Sequence, residues 1–393
     1  MANTLLNVDK ITNAALVILH QKLNFVGSIN RGYDSSFAVD GAKIGSTLRI
    51  RLPNQYTVRT GSAMVTQDVT EQNTSLTVAS QKGVDVNFTT TELTMNIFDF
   101  EQQVLEPAIA VLAANIEADA MSMALDVYNQ VNGHGSPQVF KNVMLGRKAL
   151  VDNLTPADSN RMIRLNTQDN VDLVDSLKGL FQSSNQIKRQ YDEGVMGTSG
   201  GFEFAENTFL NTFTRGAENG AYVVNGAGQT GASLVVQTGA GAGNKGDVFT
   251  IAGVNRVHPE TKTNTGVLQQ FVLTAAYAGG AGTMAISPAI VTTGAQQNVT
   301  GSPANASALV FAGTASTAAG LSLGYHRDAF TFATADLIMP EGVHFAARKV
   351  MEGISMRIVR QYDINTDRIP ARIDVLYGFK TIRPQLACRL AAN

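Results

Sequence analysis

Hydrophobic positions along the chain change their period several times, and the changes mark off its parts. Near the start, Ile11, Ala15, Ile18 and Leu19 recur at helical spacing behind Asp9, a residue suited to N-capping, and predict a short amphipathic helix. The next stretch shifts to period two. Leu48, Ile50 and Leu52 alternate with Thr47, Arg49 and Arg51, and Val84, Val86 and Phe88 alternate with Asp85, Asn87 and Thr89. A polar Thr/Gln/Asn-rich segment around 60–74 separates the two. This predicts a long two-stranded β arm, about Lys43–Thr90, marginal by itself and in need of cover for its apolar face.

The helical period then returns. Val104, Ala108, Val111, Leu112, Ile116, Ala120, Met123 and Val127 form one stripe, predicting a helix from about Phe100 to Val131, on the order of 45 Å long, with Pro107 near its start. The stripe reads as a packing face. From Leu145 the character is mixed: a short helix in "LGRKALVDNL", a strand in "NRMIRLN", and a helix capped by Thr167 with Val171, Val174, Leu177 and Phe181 on one side.

Near Asn225 the pattern becomes purely β. Short apolar runs ("SLVVQT", "DVFTIAGV", "VLQQFVLTAAY", "TMAISP", "ASALVFAG") alternate with Gly/Ala/Thr/Ser/Asn turns, which predicts an all-β sandwich or barrel of about a hundred residues. From Asn225 to Gly320 the only charged residues are Lys245, Asp247, Arg256, Glu260 and Lys262. After Tyr325 two further strands follow, with Met356 and Ile358 flanking Arg357, and Ile373, Val375 and Tyr377 beyond. The β module is therefore expected as an insertion in a larger domain.

Composition narrows the function. The 393 residues suffice for two or more domains, and only 16% are charged, against about a quarter in an average globular chain, so much of the surface is expected to meet protein. Net charge is −2 and no run of Lys or Arg exceeds two residues, so the sequence shows no basic arm for gripping phosphates. The single cysteine, Cys388, allows neither an intrachain disulfide nor a cysteine metal cluster. The N-terminus lacks a cationic segment before its short apolar run, and no stretch is expected to span a membrane.

Candidate chemistry resolves into turns. Gly241, Gly243 and Gly246 spell the G-x-G-x-x-G of a dinucleotide site, but "DVFTIAGV" follows with β character where a helix should open. "GTSGG" matches a nucleophile elbow at Ser199, yet lacks the hydrophobic strand before it and the helix after it. His20, His134, His258, His326 and His344 form no metal-binding spacing, and Asp363 and Asp367 flank a turn. The N-x-S/T triplets at Asn73, Asn298 and Asn305 carry weight only on a secretory route. No catalytic, cofactor-binding or metal residue is expected.

The order of parts resembles the major coat proteins of short-tailed double-stranded-DNA bacteriophages, in the branch with an inserted β-barrel domain. "NVDKITNAALVILHQKLNFVGSINRGYDSSFAVDGAKIGSTLRIRLP" resembles the family's N-terminal arm, and "FEQQVLEPAIAVLAANIEADAM" its spine helix. "GRKALVDNLTPADSNRMIRLNTQDNVDLVDSL" and "GVMGTSGGFEFAENTFLNTFTRG" are similar to the axial domain. "GDVFTIAGVNRVHPETKTNTGVLQQFVL" is similar to the start of the inserted domain, and "RIDVLYGFKTIRPQLACRL" to the C-terminal strand and tail.

The resemblance implies an α+β chain with the fold shared by tailed-phage and herpesvirus capsids. The expected parts are an N-terminal arm (1–40), an extended β-hairpin loop (41–95) and a peripheral domain with the spine helix (96–140). The axial domain (141–222), the inserted barrel (223–322) and return strands with the tail (323–393) complete it. It implies self-assembly into hexamers and pentamers of an icosahedral virion shell around double-stranded DNA, through a precursor made in the host cytoplasm that expands. Scaffolding and portal proteins are the implied partners, with a decoration protein optional, and neither cofactor nor membrane is implied. Some relatives crosslink lysine to asparagine; Lys43 and Lys82 flank the arm, but this branch is not expected to do so. A related non-viral compartment shell is the alternative, and a serine hydrolase using Ser199 a more distant one.

Overall fold

A computed structural model describes residues 23–32, 47–68, 71–89, 106–177, 197–210, 212–351, 354–365 and 368–392. The helix expected around 11–19 lies outside them. The chain forms two compact units, one of 1–51, 73–121 and 330–382, the other of 52–72, 122–329 and 383–393.

The first unit is organised by the 14-residue strand Arg368–Thr381. On one side it pairs antiparallel with Ser80–Thr89, from Arg368↔Thr89 to Tyr377↔Ser80. On the other it pairs with Phe330–Ala335 and Ile354–Arg360, and Phe345–Met351 lies beyond the latter. Period-two patterning explains the layout, since Val375 and Tyr377 are buried in the middle of the sheet.

The expected two-stranded arm is corrected here. Thr47–Arg51 pairs with Asn73–Thr77, a ribbon of five residue pairs, while the strand bearing Val84 and Val86 joins Arg368–Thr381 instead. The sheet offers it a ten-residue partner and a neighbouring helix, which a free hairpin would lack. Ile50, Leu76 and Val78 do find cover, against Ala333, Ala335 and Leu376.

The spine helix also ends sooner than its stripe, whose Val104 lies outside the described residues. It runs Glu106–Met121, about 24 Å, and Ser122–Asp126 tightens into a 3-10 turn. Beyond it Gln130–Asn132 pairs with the C-terminal strand Ala387–Ala391, so sheet pairing overrides a periodicity that could have continued the helix. Contrary to the expectation from sequence, Pro107–Asp126 is long and apolar enough to cross a membrane by length and composition. Half of it is buried within the protein, including Ile109, Leu112, Ala113 and Ile116, as in a core helix.

The second unit holds a six-stranded sheet in the order Gln130–Asn132, Ala387–Ala391, Leu321–His326, Arg161–Leu165, Phe202–Glu206, Thr198–Ser199. Leu321–His326 and Ala387–Ala391 are buried throughout. Helices Phe140–Asp152 and Thr167–Leu177 pack onto the sheet through Val143, Leu150 and Leu173 against Ile163, Phe204, Cys388 and Leu390. The second helix is capped by Asn166 rather than Thr167, its Oδ1 accepting from Asp169 N at 2.7 Å.

The β module is a closed barrel. Its strands run Leu309–Phe311, Val248–Val257, Asn264–Leu273, Gly282–Ile290, Gly231–Gln237, Val223–Val224. The first and last meet: Val224 N donates to Ser307 O and Leu309 N to Tyr222 O, both at 2.9 Å. Closure removes the edges that an open sheet would expose. The interior is filled by Tyr222, Leu234, Phe249, Phe271, Met284 and Phe311, among others. A two-residue ladder, Phe213–Thr214 with Ala318–Ala319, carries the chain in and out.

Candidate assembly elements and the barrel joint

The barrel is fastened to the rest of its unit by a polar seam, and its few charges are concentrated there. Lys245 pairs with Asp126 at 2.9 Å. Arg256 reaches Asp152 at the end of helix Phe140–Asp152, also at 2.9 Å, and Lys148 shares that carboxylate. Asp247 is buried in the joint itself. Neutral groups add to the seam. Gln270 Oε1 accepts from Gln130 N and its Nε2 donates to Gln130 O, each at 2.9 Å, so a barrel side chain completes the hydrogen bonding of an edge strand.

At the centre of the joint lie Arg215, Glu218, Asp247 and Arg389, all buried. Arg215 Nε donates to Glu218 Oε1 at 3.1 Å and its Nη2 to Glu218 O at 2.9 Å, while Nη1 donates to Gly313 O across the exit segment. The Asp247 carboxylate accepts from Gly216 N at 3.1 Å and Asn244 N at 2.6 Å. Arg389, on the C-terminal strand, donates to Gly246 O at 2.7 Å and lies over the Phe213 ring. Burial, reinforced by the neighbouring Glu218, pushes Asp247 up to about 7 despite the backbone donors. Burial likewise lowers Arg389 to about 10, with Asp247 opposing the shift.

Several side chains of the segment Leu52–Gln72 face solvent. Tyr56, Val58, Met64 and Val65 are exposed, Val58 at 94% and Met64 at 81%. Thr57 and Gln67 hold the segment together by reciprocal hydrogen bonds, Thr57 N to Gln67 Oε1 at 2.9 Å and Gln67 Nε2 to Thr57 O at 2.6 Å. Large apolar side chains this exposed mark an interaction surface when they gather in one segment.

The residues singled out by motif fall into structural roles. Gly241 and Gly246 have φ of +90° and +100°, and a strand rather than a helix follows. A Cβ at Gly241 would lie within 3.0 Å of the Ala217 and Glu218 backbone, so the glycine run lets the barrel loop close onto its own incoming chain. Ser199 sits in a hairpin, Thr198–Ser199 against Phe202–Glu206, turned by Gly200 and Gly201 at positive φ; this is not a strand-to-helix elbow. His326 Nε2 meets Asp158 at 3.1 Å while its Nδ1 accepts from Asp328 N, and His258 Nδ1 accepts from Thr261 N. His134 contacts Gln130, and its pKa is lowered by burial and by Arg389 and Arg215.

Asp363 accepts from Asn365 N within its turn, as a turn carboxylate should; Asp367 and His20 lie outside the described residues. Cys388 is buried, and burial pushes its thiol up to about 12. Lys82 pairs with Asp119 at 2.7 Å, and Tyr377 donates to the same carboxylate. Among the described residues, no group of three or more His, Cys, Asp or Glu is placed to hold a metal. The sequence patterns missed Arg215, Glu218, Arg389 and Gln270. One signal was available: Asp247 and Arg256 stand out in a segment almost devoid of charge.

Comparison with known proteins bears on this arrangement. The sequence model of the P22 coat protein family (gene protein 5) matches residues 33–390. No curated protein matches the chain by sequence. Similar solved structures include a chain from Mycobacterium phage Che8, with TM-score 0.48 and 10% identity over 94% of this chain and 90% of that one. A chain of the cyanophage P-SCSP1u capsid gives 0.43 and 10% over 91% and 85%. The asymmetric unit of the bacteriophage PhiM1 mature capsid gives 0.44 and 9% over 91% and 84%.

Proposed function

The chain belongs to the P22 coat protein family, and from that premise we propose how it builds its shell. It is a structural coat protein of a tailed phage, not an enzyme; it self-assembles, and its place is the virion. Subunits join in hexameric and pentameric rings through heterologous contacts, in which one patch meets a different patch on the neighbour. They first form a precursor shell in the host cytoplasm, around scaffolding protein and with a portal at one vertex. The shell then expands as double-stranded DNA is driven in, by rearrangement between two packings.

Two features support this reading. The exposed Tyr56, Val58, Met64 and Val65 give the arm an apolar surface that a neighbouring subunit would cover. The closed barrel, bound to the central sheet at Gln130 and Arg389 and to the flanking 3-10 turn and helix at Asp126 and Asp152, stabilises the subunit and contacts neighbours across capsomers. The inserted domain is the barrel, 223–322, and the arm that reaches a neighbour is the segment between Thr47–Arg51 and Asn73–Thr77.

The match over residues 33–390 carries the conclusion. Negative-stain electron microscopy of the purified protein, alone and co-expressed with its scaffolding protein, tests it: closed particles are expected, and a chain that stays monomeric under every condition would overturn it. Removing residues 223–322 is expected to impair folding or change shell size; normal shells without them would refute the barrel's role.

A further inference from the structure

The carboxyl groups of Glu218 and Asp247 are 29 residues apart in sequence and meet in the interior of the barrel joint. A Cβ built on Gly216 would lie within 2.7 Å of both Glu218 Oε2 and Asp247 Oδ2, so the two oxygens converge beside that glycine, close enough for a hydrogen bond between the carboxyl groups. Every other carboxylate oxygen of the pair has a donor: Arg215 Nε for Glu218 Oε1, and Gly216 N and Asn244 N for Asp247. Glu218 Oε2 is buried without an N–H or O–H donor among the described residues. Two ionised oxygens facing each other in a buried site repel; a proton between them turns the contact into a short carboxyl–carboxylate hydrogen bond.

We propose that a proton shared by Glu218 and Asp247 is a latch that holds the incoming turn of the barrel, Arg215–Glu218, onto the loop Asn244–Asp247, and that loss of this proton loosens the barrel's seat. The other charged and titratable groups around the pair do not replace the latch. Arg215 is committed to Glu218 Oε1, Glu218 O and Gly313 O. Arg389, from the C-terminal strand, donates to Gly246 O and favours the ionised form of Asp247 without bonding to it. Asp126, from the 3-10 turn, is paired with Lys245. His134, from the loop after Gln130–Asn132, is held toward its neutral form by burial and by both arginines.

The sign of the effect follows from linkage. A carboxyl group whose proton is held more tightly in the closed joint than in the open one contributes stability at low pH. That contribution is lost as pH rises from the ordinary carboxyl range to about 7, the level to which Asp247 is raised. Over that window the opening equilibrium should rise about tenfold per pH unit and then level off.

The test uses the full-length subunit. Hydrogen exchange at the Gly216 and Asn244 amides, corrected for intrinsic rates, should show opening that rises between pH 5 and 7 and flattens above. Infrared spectra in D2O, taken in an Asp169→Asn background because burial also raises Asp169 to about 6, should show a protonated carboxyl band at pH 6 that Asp247→Asn removes. Glu218→Gln and Asp247→Asn supply a permanent N–H donor, so each should make the opening independent of pH across the window. The proposal is overturned if the wild type opens to the same extent at every pH, or if both amide variants retain its slope. If either variant fails to fold, the infrared band of Asp169→Asn decides: its absence at pH 6 refutes the latch.

Discussion

Gln270 stands in for a β-strand at the edge of the central sheet, its side-chain amide exchanging two 2.9 Å hydrogen bonds with the backbone of Gln130. Gln130–Asn132 is an outer strand of that sheet, paired on its other side with the C-terminal strand. One amide therefore both satisfies an edge and ties the barrel to it. Gln270→Ala removes both bonds and leaves a largely buried N–H and C=O without partners. The expected cost is about 2–3 kcal/mol. Gln270→Glu keeps the acceptor and loses the donor, so it should cost less at a pH where the acid is protonated than where it is ionised. Urea unfolding of the subunit measures both; equal stability of Gln270→Ala and wild type would remove the clamp from the account.

Glu117 on the spine helix does comparable work in the other unit. Its buried carboxylate accepts from the Phe25 and Val26 backbone N–H groups and so caps the short helix Asn24–Ser28, which lacks a side-chain cap of its own. Phe25 packs edge-on against Phe330 beneath it. Glu117→Ala should cost about 2–3 kcal/mol, as hydrogen bonds to charged groups do, and should release the segment around Phe25 first. Limited proteolysis checks this: cleavage near residues 23–30 should precede loss of the folded core. Glu117→Gln, which keeps one acceptor, should fall between.

The fate of these elements shows what was legible in the sequence. Period two found the strands Thr47–Arg51 and Ser80–Thr89, because each has one half-buried face, but it could not name their partners. The true partner of the second lies nearly three hundred residues away, and Val86↔Ala371 or Val84↔Ile373 leave no mark on local periodicity. The barrel segment was legible because composition changes at its borders; its closure was not, because a few backbone hydrogen bonds near Val224 and Leu309 decide it. The apolar stripe after Met121 is genuine, yet Val127 and Tyr128 are buried beyond the end of the 3-10 turn, outside any helix. The joint was barely legible: Asp247 and Arg256 stand out in a charge-poor segment, but their partners come from three distant parts of the chain, and buried charges carry no spacing rule.

The glycine-rich loop offers a test that separates backbone packing from ligand binding. Gly241→Ala places a Cβ against the Ala217 backbone and forces an L-residue to φ +90°, so about 3 kcal/mol or more should be lost. Gly253→Ala, at φ +82° in open space, bears the conformational cost alone, about 1–2 kcal/mol. Melting temperatures of the two variants should differ accordingly, and NAD or ATP should shift neither them nor the wild type. A nucleotide-dependent rise in the wild type would reopen the cofactor reading.

Asp152 links helix and barrel through Lys148 and Arg256, and its response to acid should have the opposite sign to that of the buried pair at the joint. Partial burial alone would raise its pKa, but the hydrogen bonds from Lys148 and Arg256 outweigh burial and hold it below the usual range. A depressed carboxyl pKa contributes stability above the ordinary carboxyl range and loses it as pH falls through the lowered value. The group is about one-third exposed, so the pair should contribute no more than about 1 kcal/mol. Asp152→Asn is therefore expected to cost that much at pH 7 and nothing near pH 2–3, and added salt should shrink the difference. A double-mutant cycle with Arg256→Gln, read by urea unfolding at pH 7 and in acid, isolates the coupling. A coupling that grows in acid would show that the seam is held by packing rather than by this charge pair.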